Sequence, residues 1–223
     1  MRILFLAPHP FFQPRGTPIA DRAVIETLSD LGHEIDVLAY HEGEPVDIPN
    51  CRIERIAAPP GVHGVRPGFS AKKIICDGYM LATALRLAGS RHYDLVHAVE
   101  ESAFIAMILR ARYGLPFVYD MDSSIAQQMT ERHPVLGIAK GLLELAEGRA
   151  IRASVGVLTV CRSLEDVARR HAPGKLVARV EDASLVEAPG TDEAPTELGR
   201  PGEGGPVILY AGNLEPYQGI DLL

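Results

Sequence analysis

The amino-terminal stretch predicts a buried strand, a loop and the start of a helix. The apolar run Ile3–Ala7 is short and uninterrupted, which is typical of a strand buried on both faces. Gly16, Thr17 and Pro18 follow a loop, with Thr17 suited to the N-cap and Pro18 to the first helical position. Such a helix start presents unpaired N–H groups and a positive dipole end, and Gly16 lets an anion approach closely. The stretch predicts an α/β protein with a phosphate site at its first loop.

Strand and helix patterns alternate along the chain to about residue 180. The predicted strands are 3–7, 34–39, 52–56, 94–98, 117–120, 154–160 and 176–180. The predicted helices are 18–31, closed by Gly32, then 70–88, 102–113, a segment from 123 to 145 interrupted near Pro134, and one that begins with a capping box from Ser163 to Asp166. This order indicates an α/β fold, a Rossmann-like parallel sheet with helices on both faces.

The helix over 70–88 combines an apolar face with two lysines. Ile74, Leu81 and Leu85 are expected to face the core, while Lys72 and Lys73 are expected to be exposed. An alternative interpretation is that the two lysines contact anionic lipid, which predicts weak peripheral contact with a membrane.

The composition of the chain changes at residue 187. Residues 187–205 are polar, acidic and rich in Pro and Gly, which favours a linker. Residues 206–223 then resume with an apolar strand and the start of a helix, too little to bury a core of their own. We therefore expect a first domain over 1–186, a linker, and the opening of a second domain that is incomplete in this chain.

Charge and cysteine content exclude several classes of function. The net charge of −7 argues against binding nucleic acid through a basic surface, and no apolar run is long enough to cross a bilayer. The three cysteines, Cys51, Cys76 and Cys161, are widely spaced and form no CxxC pair. We expect a cytoplasmic protein with free thiols, no metal site and no cofactor.

Several chemistry-bearing side chains follow directly after predicted strands. His9 follows the first strand, His97 and Glu100 lie at the end of the fourth, and Asp120 and Asp122 lie at the end of the fifth. Ligands of parallel sheets bind at the carboxyl ends of the strands, so these residues are candidates for binding. The alternatives are a packed, hydrogen-bonded histidine for His97 and helix caps for the two aspartates.

Seven segments spread over nearly the whole chain carry a family resemblance: Met1–Leu6, Gly16, Leu31–Val37, Tyr93–Ala98, Gly114–Asp120, Leu158–Leu164 and Gly212–Gly219. In order and spacing they resemble glycosyltransferase family four, retaining enzymes with two Rossmann-like domains in the GT-B arrangement. The resemblance implies that 1–186 is the acceptor-side domain. It also implies that the strand beginning at Val207 opens the domain that binds the nucleotide-sugar donor.

The resemblance also assigns roles to residues. It places Gly16 and Thr17 at the donor diphosphate, together with Asn213 and Gln218, which stand where the family commonly has an arginine and a lysine. Asp122 stands where the family often has a histidine near the reacting sugar, and is the candidate catalytic residue.

His9, His97, Glu100 and Asp120 are the candidate acceptor ligands. The implied reaction moves a sugar from a nucleotide-diphosphate donor to a hydroxyl of a carbohydrate or lipid-linked acceptor with retention, and residues 1–223 alone are expected to be inactive. The alternatives are a nucleotide-sugar epimerase of the same architecture and a non-catalytic sugar- or nucleotide-binding module.

Overall fold

A computed structural model describes residues 1–14, 16–65, 70–125 and 140–181. The strands in these residues are β1 (Arg2–Ala7), β2 (Glu34–Ala39), β3 (Cys51–Arg55), β4 (Leu95–Val99), β5 (Phe117–Met121), β6 (Gly156–Thr159) and β7 (Val177–Arg179). The helices are α1 (Gly16–Asp30), α2 (Ala71–Ser90), α3 (Ser102–Tyr113), α4 (Lys140–Ala153) and α5 (Arg162–His171).

The seven strands form one parallel sheet in the order β3-β2-β1-β4-β5-β6-β7. β1 pairs with β2 on one side, from Arg2 opposite Glu34 to Ala7 opposite Ala39. On its other side β1 pairs with β4, beginning with Ile3 opposite Leu95. Along the chain, β2 and β3 are thus added on one side of β1, and β4 to β7 are added on the other side. The predicted fold class is confirmed.

Alternate residues of each central strand pack on opposite faces of the sheet. Leu4 and Leu6 join an apolar cluster that includes side chains of α2, α3, α4 and α5. Phe5 and Ala7 join a second cluster that includes Ile25 of α1. Because both faces are covered, every residue of β1 after Arg2 is buried, which explains the uninterrupted apolar run.

Two predicted helix caps are wrong. α1 begins at Gly16, so Thr17 lies inside the first turn rather than at the N-cap. α5 begins at Arg162, and its N-cap residue is Cys161. The backbone of Cys161 is extended, and its side chain makes no capping hydrogen bond. Ser163 therefore lies within the helix, where its hydroxyl is past the position that caps the first N–H groups.

The predicted buried face of α2 is partly wrong, although Leu81 and Leu85 pack against the core as predicted. Its inward side chains are Lys73, Cys76, Met80, Ala84 and Leu87, whereas Ile74 is 53% exposed. The predicted exposure of Lys73 is wrong because its ammonium group pairs with the carboxylate of Glu101 in the interior. Lys72 is exposed, but its Nζ donates a hydrogen bond to the carbonyl of His63.

The remaining predictions divide between described and undescribed residues. All described residues belong to one unit, Met1–Leu185. The linker 187–205 and the opening of a second domain at 206–223 lie outside the described residues, as does the helical pattern over 126–139. The three cysteines are free thiols. None of the helices in the part of the chain that the structure describes is long and apolar enough to cross a membrane.

Replacing either of two exposed glycines by alanine is expected to change the free energy of unfolding, with opposite signs at the two positions. Gly114 ends α3 with a φ of +72°, and Gly78 lies within α2 without a left-handed φ; an added Cβ meets open space at both. Gly114→Ala is expected to lower the free energy of unfolding by about 1 kcal/mol because alanine resists the left-handed conformation. Gly78→Ala is expected to raise it by about 0.5 to 1 kcal/mol. Urea denaturation of the two variants checks both signs, and equal shifts in one direction would contradict the conformational explanation.

Candidate functional site

The candidate site lies at the carboxyl edge of the sheet, beside the junction of β1 and β4. The strand order reverses between β1 and β4, which makes this junction a topological switch point. Open α/β sheets bind ligands in the crevice outside the carboxyl ends of the strands at such a point. The segments that follow β1, β4 and β5 all arrive at this edge. His9, Glu100 and Asp122 lie in these segments, whereas His97 and Asp120 lie within β4 and β5 themselves.

His9 forms a hydrogen-bonded pair with Asp21 of α1. Its Nε2 lies 2.7 Å from Oδ2 of Asp21, and its Nδ1 lies 3.2 Å from the carbonyl oxygen of Pro10. Both ring nitrogens therefore face oxygen atoms, a buried carboxylate on one side and a backbone carbonyl on the other. Asp21 is 2% exposed, and this burial raises its pKa although His9 acts in the opposite direction.

His97 and Asp120 form a second pair between neighbouring strands. Nε2 of His97 lies 2.8 Å from Oδ2 of Asp120, and both side chains are buried. The imidazole of His97 stacks on the ring of Phe5, with centroids 4.4 Å apart and planes within 10°. The charges of Asp120 and His97 both influence the pKa of Asp21, so the two histidine–carboxylate pairs belong to one electrostatic cluster.

Lys73 lies between two glutamates at the end of β4. Its Nζ is 2.5 Å from Oε1 of Glu101 and 3.6 Å from Oε2 of Glu100. Glu101 is the N-cap residue of α3, but its side chain makes no cap hydrogen bond and reaches the lysine instead. Lys73 is only 9% exposed, and its glutamate partners outweigh the cost of burial and raise its pKa.

A further carboxylate, Asp77, lies one helical turn from Lys73 and accepts a hydrogen bond of 2.5 Å from the hydroxyl of Tyr40. Three carboxylates therefore surround one ammonium group in a region that is largely shielded from water. Burial raises the pKa of Glu101 to about 7, with Lys73 opposing this rise and the nearby carboxylates adding to it. This carboxyl group changes its charge near neutral pH.

Glu100 has a backbone conformation that few residues other than glycine adopt. Its φ is +48°, in the left-handed region, and such a conformation costs about 1 to 3 kcal/mol. Its N–H donates to the carbonyl of Asp120, and its side chain accepts a hydrogen bond of 3.2 Å from the hydroxyl of Ser123. Residues held in this way are concentrated at functional sites, which supports Glu100 as a site residue.

Glu147 of α4 forms hydrogen bonds with the loop after β5 and fixes its backbone. The carboxylate of Glu147 accepts hydrogen bonds from the hydroxyl of Ser124 at 3.0 Å and from the N–H of Ile125 at 2.8 Å. Glu147 is 1% exposed, whereas Asp122 is partly exposed at the start of this loop. Glu147 thus fixes the backbone that presents Asp122.

The predicted phosphate-binding residues divide between described and undescribed parts of the chain. Gly16 has a φ of +30° and opens α1; among the described residues, no atom outside its chain neighbours and its own helix backbone lies within 4 Å of the position of an added Cβ. Thr17 follows it in the first turn of the helix. Asn213 and Gln218 lie outside the described residues.

Three of the charged residues that shape this site were missed by sequence reasoning. Asp21, Lys73 and Glu147 each stand on the buried stripe of a helix, among apolar residues. A charged residue in such a position needs a buried partner. A charged residue at a position that helical periodicity assigns to the buried face was therefore the sequence signal that could have identified these three residues. The partners come from distant strands or loops and cannot be read from helical periodicity.

Comparison with known proteins places the chain among glycosyltransferases by sequence. Residues 19–180 match the family described as Glycosyl transferase 4-like domain. This match spans most of the described unit, from α1 to the end of β7. No curated protein matches the chain.

Solved structures share the fold at low sequence identity. Sucrose-phosphate synthase from Thermosynechococcus elongatus is 15% identical, with a TM-score of 0.63, over 81% of this chain and 47% of that one. HepE from Anabaena, solved with UDP, is 15% identical with a TM-score of 0.51, over 82% and 44%. A UDP-glucosyltransferase from Polygonum tinctorium is 12% identical with a TM-score of 0.53, over 90% and 55%.

The chain therefore spans about half the length of each of these three structures, all of them GT-B glycosyltransferases. The low identities show a common fold, whereas the family match covers more than half of the chain. The protein described here belongs to the Glycosyl transferase 4-like domain family.

Proposed function

We propose that the chain is the acceptor-side domain of a glycosyltransferase. The complete enzyme transfers a sugar from a nucleoside-diphosphate donor to a hydroxyl of a carbohydrate or lipid-linked acceptor, with retention at the anomeric carbon. The observation that carries the proposal is the family match over residues 19–180, which covers the His97–Asp120 pair and Glu100 at the carboxyl edge of the sheet. Solved HepE structures contain UDP and UDP-glucose, which makes uridine nucleotides the first probes to use.

The start of α1 is proposed to receive the donor diphosphate. Gly16 and Thr17 form the first turn, where unpaired N–H groups and the helix dipole favour an anion. Open space beside the Cα of Gly16 leaves room for a phosphate oxygen. His9 lies in the loop leading into this turn, where its hydrogen bond to Asp21 connects that loop to α1. A phosphate-binding role for Asn213 and Gln218 stays a prediction from the family resemblance, because both lie outside the described residues.

Glu100 and Asp122 are proposed to orient the acceptor and the reacting sugar. Ionised carboxylates accept hydrogen bonds from sugar hydroxyls, and both residues are partly exposed and lie just past the ends of their strands. Asp122 is the proposed catalytic residue, placed beside the charge that develops on the sugar. His97 and Asp120 bond to each other, so they are proposed to contribute one polar wall of the acceptor site.

Transfer of this kind depends on positioning and on stabilising the leaving phosphate, rather than on extensive covalent chemistry. The buried groups beneath the edge provide that positioning. Lys73 forms ion pairs with Glu100 and Glu101, and Glu147 fixes the loop that carries Asp122. A carboxylate held in one position needs no reordering when the acceptor binds, which lowers the entropic cost of reaching the transition state.

The proposed function is tested with the natural protein that contains this chain. It is incubated with UDP-, ADP- and GDP-sugars and simple sugar acceptors, nucleotide release is measured, and proton NMR reports the anomeric configuration of the product. Gly16→Val is expected to reduce turnover at least tenfold, because a branched side chain crowds the phosphate and resists a positive φ.

Gly61→Val is the matched control for this experiment, since Gly61 also has a positive φ and open surroundings but lies in a different loop. Equal losses in the two variants would assign the effect to backbone strain alone. Release of no nucleotide from any donor by the unaltered protein would contradict the proposed function, and an inverted product would contradict retention.

Asp122→Asn separates a chemical role from a capping role. Asparagine caps a helix about as well as aspartate, so a capping role predicts little change. A role beside the reacting sugar predicts a fall in kcat/KM of tenfold or more, equivalent to about 1.4 kcal/mol or more of barrier. The melting temperature is measured in parallel, with Asp30→Asn at the exposed end of α1 as a control. An unchanged kcat/KM would remove Asp122 from the catalytic residues.

Glu101 predicts a specific dependence of stability on pH. Burial raises its folded-state pKa to about 7, so its contribution to stability is complete at low pH and is lost as the pH rises toward neutrality. Glu101→Gln removes this loss, and the melting temperature of the variant relative to the unaltered chain should rise between pH 5 and pH 8. Glu144→Gln, on an exposed face of α4, should show no such trend. Parallel melting curves across this range for Glu101→Gln would disprove the assignment.

A further inference from the structure

Two loops at the carboxyl edge bring together two histidines and a glutamate. His41 and Glu42 follow β2, while His63 lies in the segment between β3 and α2. Each of the three offers a ligand atom, and these atoms all lie within 4.8 Å of one another. Sequence spacing does not reveal this group, because Glu42 and His63 are 21 positions apart and meet only in the folded chain.

The backbone around the three side chains is already fixed. The two carboxylate oxygens of Glu42 accept hydrogen bonds from the N–H groups of Gly64 at 2.6 Å and Val65 at 2.9 Å. The Nζ of Lys72 donates to the carbonyl of His63 at 2.6 Å. An ion that binds here would therefore meet two loops already held together, and little chain entropy would be lost on binding.

The ring of His41 supplies the second observation. Its side chain is only 8% exposed, and its Nε2 lies 3.0 Å from the carbonyl oxygen of Val62. Because a carbonyl only accepts, Nε2 donates its N–H to Val62, and Nδ1 is the ring nitrogen left to ligate an ion; Oε1 of Glu42 lies 3.9 Å from Nε2 of the same ring. Nδ1 is buried and has no hydrogen-bond partner among the described residues. Histidines that ligate metals commonly donate their other N–H to a backbone carbonyl in this way.

We propose that His41, Glu42 and His63 bind a divalent transition-metal ion of the zinc class. Two imidazoles and one carboxylate suit Zn²⁺, Co²⁺ or Ni²⁺, whereas Mg²⁺ and Ca²⁺ prefer sites made of oxygen alone. Three protein ligands leave one position of a tetrahedral ion open to water. Bound there, the ion cross-links the loop after β2 to the loop before α2. The proposal is independent of the proposed transfer reaction.

The test uses the chain itself after dialysis against EDTA, with the metal ions alone as probes. Titration calorimetry with Zn²⁺ is expected to show one site with a Kd of about 10 μM or tighter, and Co²⁺ to give the visible absorption of a four-coordinate ion. His63→Ala is expected to weaken binding at least tenfold. Its side chain is exposed, so folding is not at risk. Bound Zn²⁺ should also raise the melting temperature, and millimolar Mg²⁺ should not compete.

His92→Ala is the matched control, since His92 is exposed and also lies beside a carboxylate, 3.3 Å from Asp94. This variant should bind Zn²⁺ as the unaltered chain does. Glu42→Gln and His41→Asn, checked for folding by circular dichroism, should each weaken binding as His63→Ala does. A Kd weaker than 100 μM for the unaltered chain, or equal affinities of the His63→Ala and His92→Ala variants, would overturn the proposal.

Discussion

The parallel pairing of β1 with both β2 and β4 is the constraint on which the rest of the structure depends. This pairing places the end of β1 beside the end of β4 and opens the space between the segments that follow them. His9 reaches that space from one strand, and His97 and Glu100 reach it from the other. A shift of β1 by one residue would turn its core side chains to the opposite face and separate these residues, so the packing of the core and the geometry of the candidate site share one cause.

Charged side chains within the buried stripes of three helices support this edge from beneath. Asp21, Lys73 and Glu147 are each removed from water and compensated by a partner at the carboxyl edge. Burying a charge is expensive, and apolar residues of similar size often give equal or greater stability. The presence of Asp21, Lys73 and Glu147 therefore suits a role in positioning the site residues at the carboxyl edge of the sheet. We therefore regard this layer as part of the proposed site rather than of the core.

The sequence predicts the sheet well because each strand depends on local signals. β2 and α3 have the predicted bounds, since apolar runs and the closing glycines mark them directly. The start of the inward face of α2 could not be predicted, because helical periodicity treats Ile74 as buried and Lys73 as exposed. The partner that reverses this order, Glu101, is 28 positions away and meets the lysine only in the folded chain. For the same reason, His97 and Asp120 were individual candidates, while their pairing required the register of β4 and β5.

The central position of β1 also affects how the chain is synthesised. β1 and β2 pair across a helix of 15 residues, but the strand on the other side of β1 is not translated until residues 95–99. During that interval the backbone edge of Leu4, Phe5 and Leu6 is unpaired, in a strand that is apolar on both faces. Such an edge is a template for pairing with other chains. The nascent protein is therefore most exposed to aggregation before β4 leaves the ribosome, and chaperone binding in this interval would protect the same strand that later organises the sheet.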